Sequence, residues 1–157
     1  MDKNKIIRLI VSVFICQFAG IIGSVFTSPS IPTWYASLSK PAFNPPSWLF
    51  APAWITLYFL MGLSLYLVWE KGLQKNKLAV SVFGLQLALN SIWSILFFGL
   101  QNPFLAFLEI IILWLAILAS IILFYRIEKK AAYLLVPYIA WVSFATLLNY
   151  SIWMLNV

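Results

Sequence analysis

Long apolar segments alternate with short polar ones along the whole chain. Five of the apolar segments have the ~20 residues that a helix needs to cross the hydrocarbon core of a bilayer. They cover roughly residues 6–26, 47–69, 78–101, 103–126 and 131–155. The pattern therefore predicts an all-α membrane protein, a single domain of residues 1–157 built as a bundle of five transmembrane helices.

Basic residues lie almost entirely on one side of the path that five crossings imply. That side carries nine of the ten Lys and Arg residues, namely Lys3, Lys5, Arg8, Lys71, Lys75, Lys77, Arg126, Lys129 and Lys130. The other side carries only Lys40. Short loops rich in Lys and Arg remain in the cytoplasm. We therefore expect a cytoplasmic N-terminus and a C-terminus on the outside.

Composition supports the membrane assignment. The chain is 64% apolar and only 9% charged, and a soluble domain of this length could not cover so much apolar surface. A net charge of +6 would suggest a nucleic-acid partner in a soluble protein. Here the concentration of Lys and Arg in the loops on one side of the membrane accounts for the net positive charge, so we expect no nucleic-acid partner.

Two residue types are scarce enough to exclude whole classes of site. The chain has no His, which excludes His-ligated haem, His-based metal sites and a Ser-His-Asp triad. Its one cysteine, Cys16, lies inside the first apolar segment, which excludes disulfides within the chain and Cys-cluster metal sites. We expect no metal site and no required cofactor.

The connection over residues 27–46 is long and rich in proline and aromatic residues. It holds five of the eight prolines, Pro29, Pro32, Pro41, Pro45 and Pro46. Such a segment is not expected to form regular helix. It also carries Trp34, Tyr35 and Phe43, which a flexible linker would not need. Two interpretations fit: an ordered cap over the outer end of the bundle, or an aromatic anchor at the membrane interface.

Polar and aromatic positions inside the second and third segments share faces. Trp54 and Tyr58 lie one turn apart and away from the segment ends, which makes them candidates for lining a cavity. Gln86, Asn90 and Ser94 follow one another at steps of four, so they form one polar stripe. Such a stripe faces the bundle interior or a cavity, and hydrogen bonding between helices explains it equally well.

The fifth segment repeats this spacing with Trp141, Ala145, Asn149 and Trp153. A small residue between two indoles leaves a slot for a flat molecule. The alternative is that Ala145 is a close packing contact with another helix.

Two further features leave alternatives open. Ala19 and Gly23 form a small-xxx-small pair, which indicates close helix packing either within the chain or between subunits. Glu109 is the one carboxyl group well inside a segment. It could reach toward the outer face, pair internally or be protonated, and a coupling proton site is one hypothesis.

Three stretches resemble a known family. They are WYASLSKPAFNPPSWLFAPAWITLYFLMGLSLYLVW, QLALNSIWSILFFG and PYIAWVSFATLLNYSIWMLN. Together they resemble the tryptophan-rich sensory protein and translocator protein family, whose mitochondrial members were formerly called the peripheral benzodiazepine receptor. The matches cover well over half of the chain, and their fixed aromatic, Pro and Asn positions make the resemblance specific.

The resemblance implies a five-helix bundle that binds tetrapyrroles such as protoporphyrin IX or haem. It also implies binding of synthetic isoquinoline and benzodiazepine-type ligands, contact with membrane lipid, and a homodimer. Bacterial members are associated with light-dependent breakdown of protoporphyrin IX. We accordingly expect an integral protein of a bacterial cell membrane.

The resemblance also assigns roles to individual residues. Trp54 and Trp141 would be the pocket tryptophans and the candidates for a role in photo-oxidation. Asn90 would be the pocket amide of the third helix, Tyr35 the aromatic residue closing over the ligand, and Ala145 the small residue on the wall of the fifth helix. The pattern of the second segment adds Tyr58 to these ligand-binding candidates.

Cholesterol binding is not expected. The motif proposed for it needs a basic residue a short distance after a tyrosine. Here Leu147, Leu148 and Tyr150 are present, but Met154 stands where animal members have the basic residue.

Three functions follow from these observations. The first is tetrapyrrole binding, and the second is light-dependent oxidative degradation of the bound porphyrin. The third is transport or sensing of porphyrins, lipids or similar amphiphiles without chemistry. No conventional catalytic constellation is visible, because the spans hold a single carboxyl group well inside them and the chain has no His.

Overall fold

A computed structural model describes residues 2–157 as a helical bundle. Over these residues the chain forms α1 (Lys3–Ser30), α2 (Phe50–Glu70), α3 (Lys77–Ser94), α4 (Pro103–Ile127), α5 (Lys129–Leu134) and α6 (Val136–Leu155). Single π-helical turns, Ile31–Tyr35 and Ile95–Gly99, continue α1 and α3, and α5 with α6 makes one crossing. Five helical segments are long and apolar enough to span a membrane, which confirms the predicted all-α architecture.

The expectation that residues 27–46 contain no regular helix was wrong for their first part. The first crossing runs through Pro29 and continues to Tyr35, nine residues beyond the expected end at residue 26. Pro29 and Pro32 remove backbone donors, but the chain stays helical through a wide π turn, and hydroxyl side chains at this turn make additional hydrogen bonds to carbonyl groups. Thr33 Oγ1 donates to the Pro29 carbonyl at 2.8 Å, and Ser30 Oγ donates to the Phe98 carbonyl at 2.9 Å.

The rest of this connection, residues 36–46, is an ordered loop over one end of the bundle, here named the cap loop. Asn156, just after α6, pairs with both backbone groups of Ser39: its Oδ1 accepts from the Ser39 N–H, and its Nδ2 donates to the Ser39 carbonyl, each at 2.9 Å. At the start of the loop, the Tyr35 hydroxyl donates to Asn44 Oδ1 at 2.7 Å. These tertiary contacts favour the cap over a bare interfacial anchor.

Ion pairs join the polar segments at the opposite end. Arg8 and Lys5 contact Glu70 at 2.9 and 3.8 Å, and Lys71 contacts Glu128 at 3.2 Å. Hydrogen bonding from Lys71 lowers the pKa of the half-buried Glu128 carboxyl below its ordinary value. The start of α1, the α2–α3 connection and the α4–α5 connection thus share one end, as five alternating crossings require.

The small residues of α1 pack within the chain. The Ala19 carbonyl accepts a hydrogen bond from Ser91 Oγ of α3 at 3.0 Å. A Cβ atom on Gly23 would lie 2.9 Å from Ser94 Oγ. Of the two interpretations of this pair, the structure supports close packing between helices of one chain.

Glu109 of α4 is buried, with 7% of its surface exposed. Neither carboxyl oxygen has a hydrogen-bond partner within the described part of the chain. The structure therefore supports neither the interpretation that Glu109 reaches the outer face nor the one that it pairs internally.

Helices α1 and α2 pack closely at Gly62. A Cβ atom there would lie 2.6 Å from the Val13 Cα, so the two backbones meet without room for a methyl group. By contrast, a Cβ atom on Gly84 of α3 would meet nothing within 4 Å. The same Gly→Ala substitution can therefore be compared at a tightly packed position, Gly62, and at an open position, Gly84.

We expect Gly62→Ala to destabilise the protein by at least about 1 kcal/mol, because overpacking a tight contact forces the backbones apart. Gly84→Ala is the matched control and should be neutral or slightly stabilising, since alanine favours helix over glycine. Thermal unfolding in detergent, followed by circular dichroism, measures both. Equal midpoints for the two variants would contradict the close contact.

Candidate ligand-binding cavity

A cavity of about 320 Å³ lies in the half of the bundle nearest the cap loop. Phe50, Trp54 and Tyr58 of α2 share one face at steps of four and form one wall. Trp141, Phe144 and Ala145 of α6 form the wall opposite. Further lining residues come from α1, from the π turn that continues α3, and from Tyr35 below the cap loop.

The aromatic rings of the two walls meet edge to face. The Trp54 and Trp141 ring centroids are 6.4 Å apart at an interplanar angle of 84°, and Trp54 lies 5.6 Å from Tyr58. Tyr35 is buried and packs edge-on against Phe50 at 6.1 Å. These contacts fix the rings and leave apolar faces on which a flat molecule can stack. Five of the six predicted ligand-binding residues therefore line one cavity: Tyr35, Trp54, Tyr58, Trp141 and Ala145.

Asn90, the sixth, lies behind the cavity wall. The Tyr58 hydroxyl donates to Asn90 Oδ1, and Asn90 Nδ2 donates to the Tyr138 hydroxyl at 2.8 Å. Asn90 is 3% exposed and does not line the cavity. It holds the Tyr58 phenol in place, and a direct contact between Asn90 and a ligand stays a prediction that would require Tyr58 to move.

The predicted slot between Trp141 and Trp153 is not formed. Ala145 and Asn149 do line the cavity, but Trp153 packs against α4, with its ring 4.9 Å from that of Phe104. The reason is that steps of four drift around a helix, so residues twelve apart do not face the same neighbour. The indole that Trp141 contacts in the cavity wall belongs to Trp54 instead.

The wall supplied by α1 was not predicted. Gln17, Gly20, Ser24 and Thr27 follow one another at steps of three or four and all line the cavity. A Cβ atom on Gly20 would lie 2.5 Å from the Tyr58 ring, so the absence of a side chain at Gly20 leaves room for the phenol. The sequence signal for this wall is the recurrence of small and polar residues at steps of three or four. Close helix packing gives the same recurrence, so the pattern alone does not indicate a cavity.

Lys40 does not reach the cavity. Its ammonium group donates to the carbonyls of Ala36 and Leu38 at 3.2 and 2.9 Å and lies over the Tyr35 ring at 5.0 Å. Among residues 2–157, the lining residues are all uncharged. The hydroxyls of Ser24 and Thr27 already donate to carbonyls of their own helix. The cavity thus suits a flat, largely apolar molecule better than a small anion.

Known proteins are similar to this chain along most of its length. The TspO/MBR family matches residues 12–154. The chain belongs to the TspO/MBR family. The resemblance inferred from the three sequence stretches is thereby confirmed.

Relatives in this family come from distant organisms. The tryptophan-rich protein TspO of Archaeoglobus fulgidus is 46% identical over 152 residues, which are 97% of this chain and 99% of the relative. The translocator protein of Homo sapiens is 40% identical over 135 residues, 84% of this chain and 80% of the relative. The tryptophan-rich sensory protein of Cereibacter sphaeroides is 37% identical over 123 residues, 78% and 77% of the two chains. Membership in the TspO/MBR family and five membrane-spanning helices make this an integral membrane protein.

Proposed function

We propose that this protein binds a tetrapyrrole, protoporphyrin IX or haem, in the cavity between α2 and α6. The observation that carries the proposal is the pair of indoles, Trp54 and Trp141, which face an uncharged space at membrane depth together with the Tyr58 phenol. Aromatic rings suit the faces of a flat macrocycle. Because the chain has no His, haem would be held by shape rather than by an axial imidazole.

Light-dependent oxidation of bound protoporphyrin IX is the finer part of the proposal. The illuminated porphyrin and dioxygen supply the oxidising chemistry. The contribution of the chain is to fix the macrocycle between apolar walls and to place the oxidisable indoles of Trp54 and Trp141 beside it. Among residues 2–157, the cavity lining includes no carboxyl or amino side chain for acid–base catalysis.

Transport or sensing without chemistry is the second candidate. The absence of acid–base side chains from the cavity lining in residues 2–157 favours it. Under this alternative the light-dependent loss of bound porphyrin would not depend on the protein. Flux of porphyrin into sealed vesicles separates a transporter from a binding protein.

A tryptophan-quenching titration with protoporphyrin IX and haem tests the proposal. The protein is titrated in detergent, first in darkness and then under fixed illumination. We expect saturable quenching in the dark and a loss of porphyrin absorbance in the light that exceeds the loss in detergent alone. Quenching that rises linearly without saturation would contradict a binding site.

Further partners belong to the proposal. Synthetic isoquinoline and benzodiazepine-type ligands should compete with the porphyrin, because the same aromatic walls would hold them. Membrane lipid surrounds the bundle, and a homodimer is the expected assembly. Light scattering coupled to size-exclusion chromatography measures the mass of the protein–detergent complex and so tests the dimer.

We also propose a bacterial cell membrane, with the charged end of the bundle in the cytoplasm. Gln74 lies in the α2–α3 connection at the charged end, Ser37 lies in the cap loop, and both are exposed. In intact cells an impermeant thiol reagent should label Ser37→Cys and leave Gln74→Cys unlabelled. Cys16 is buried and serves as the internal background. The reverse labelling pattern would contradict this orientation.

A further inference from the structure

Helices α1 and α2 are joined at one end of the bundle and separated at the other. At the charged end, Arg8 contacts Glu70 at 2.9 Å, and the backbones meet at Gly62. Toward the cap loop, Gln17 Nε2 donates a hydrogen bond to the Ile55 carbonyl at 3.0 Å, and Gly20 lies against the Tyr58 ring. Beyond this bond, residues of both helices line the cavity.

The separated ends leave the cavity open toward the side of the bundle. Ile21 and Ile55 line the cavity, yet 55% and 59% of their surfaces are exposed. Ser24 of α1 and Ala51 of α2 also line it and are exposed. A residue that is both cavity wall and outer surface marks an opening. We name this opening, defined by Ile21, Ser24, Ala51 and Ile55, the side cleft.

The side cleft faces lipid rather than water. Its four residues lie within the segments Lys3–Tyr35 and Ser47–Glu70, both long and apolar enough to span the membrane. The lining from cleft to cavity carries no charged side chain among residues 2–157. For a ligand dissolved in the bilayer, passage through the side cleft would therefore carry only a small desolvation cost.

The end of the cavity below the cap loop is closed. Asn156 fastens Ser39 through two hydrogen bonds of 2.9 Å. Inside the loop, Phe43 packs against Phe144, a cavity wall residue, with ring centroids 6.3 Å apart. A ligand that used this end would have to break these contacts, whereas the side cleft is bridged by one hydrogen bond.

We propose that the ligand enters the cavity sideways from the lipid, through the side cleft, and that the Gln17–Ile55 hydrogen bond closes the deep end of this passage. The ligand class is a flat amphiphile that partitions into the bilayer, with its charged groups trailing toward the lipid headgroups. The proposal rests on the proposed function, because it requires that the cavity be a binding site. It adds the route by which the ligand enters the cavity, and measurements of binding at equilibrium do not report that route.

Association and dissociation rates test the route. The protein is reconstituted in lipid nanodiscs, protoporphyrin IX is delivered from lipid vesicles in darkness, and tryptophan quenching is followed in a stopped-flow instrument. Ala51→Phe narrows the side cleft and should slow both rates by about tenfold, within the range over which association rates of related complexes vary. Gln17→Ala removes the bridge and should raise both rates. In each variant the equilibrium constant should change much less than the rates.

Two controls distinguish passage through the side cleft from added bulk elsewhere and from entry below the cap loop. Ala140→Phe places the same bulk on an exposed position of α6 outside the cavity lining and should leave both rates unchanged. Asn156→Ala releases the cap loop and should leave the association rate unchanged. Faster association in Asn156→Ala, or unchanged rates in both Ala51→Phe and Gln17→Ala, would overturn the side route. A wild-type protein that shows no saturable quenching would instead overturn the proposed function.

Discussion

Replacement of Trp54 by alanine is expected to weaken porphyrin binding by about 1–3 kcal/mol, the range found when an aromatic side chain that stacks on a planar base is removed. This corresponds to a loss of affinity of about 5- to 150-fold. Trp54 contacts Tyr58, Tyr138 and Trp141, so its loss also removes support from the opposite wall. The measurement is the dissociation constant of protoporphyrin IX in darkness, from quenching of the remaining tryptophans.

Trp69→Ala is the control for this prediction. Trp69 lies on the same helix one residue from its end, near the charged end of the bundle, and it does not line the cavity. Its replacement should change the dissociation constant by less than about twofold, which is the size of ordinary surface effects. Equal losses at the two positions would mean that Trp54 supports the fold rather than the ligand.

Conservative replacement of the two indoles should separate binding from chemistry. In Trp54→Phe and Trp141→Phe, a phenyl ring keeps an apolar face toward the ligand but is much harder to oxidise than an indole. Both residues line the cavity, with centroids 6.4 Å apart. We expect each variant to retain most of the binding and to lose most of the light-dependent degradation.

The assay for this second prediction is the loss of bound protoporphyrin absorbance under fixed illumination, divided by occupancy. Trp69→Phe is the matched control and should degrade porphyrin at the wild-type rate. If the loss per bound porphyrin is unchanged in both Trp54→Phe and Trp141→Phe, the indoles have no redox role. The protein is then a passive binding protein, as the transport and sensing alternative requires.

The five crossings could be predicted because a membrane helix satisfies its own backbone hydrogen bonds and must be apolar along its length. The start of α4 at Pro103 agrees with the predicted segment 103–126. In the structure the Asn102 side chain accepts a hydrogen bond from the Leu105 N–H at 3.0 Å, so a capping residue followed by proline stabilises this helix start.

The continuation of α1 past Pro29 could not be predicted from local rules. Proline content alone argued for an irregular loop. In the continued helix the Thr33 hydroxyl donates to the Pro29 carbonyl, and Ser30 Oγ donates to the Phe98 carbonyl of the π turn that continues α3. The second contact joins residues 68 positions apart, so it exists only once the helices are packed.

The cavity was predicted in part for a similar reason. Trp54 and Tyr58 share a helix face, and one face of one helix can be derived from spacing. Which faces of α1, α2 and α6 meet depends on packing, so the α1 wall was missed. Asn90 was placed on the correct face, but the Tyr58 hydroxyl lies between it and the cavity.

A structure of the protein with protoporphyrin IX bound in darkness would show where the ligand lies. We expect one macrocycle per chain, packed against Trp54 and Trp141 in the cavity, with one edge in the side cleft between α1 and α2. Density for the macrocycle on the outer surface of the bundle or at the charged end, with the cavity between α2 and α6 unchanged, would contradict it.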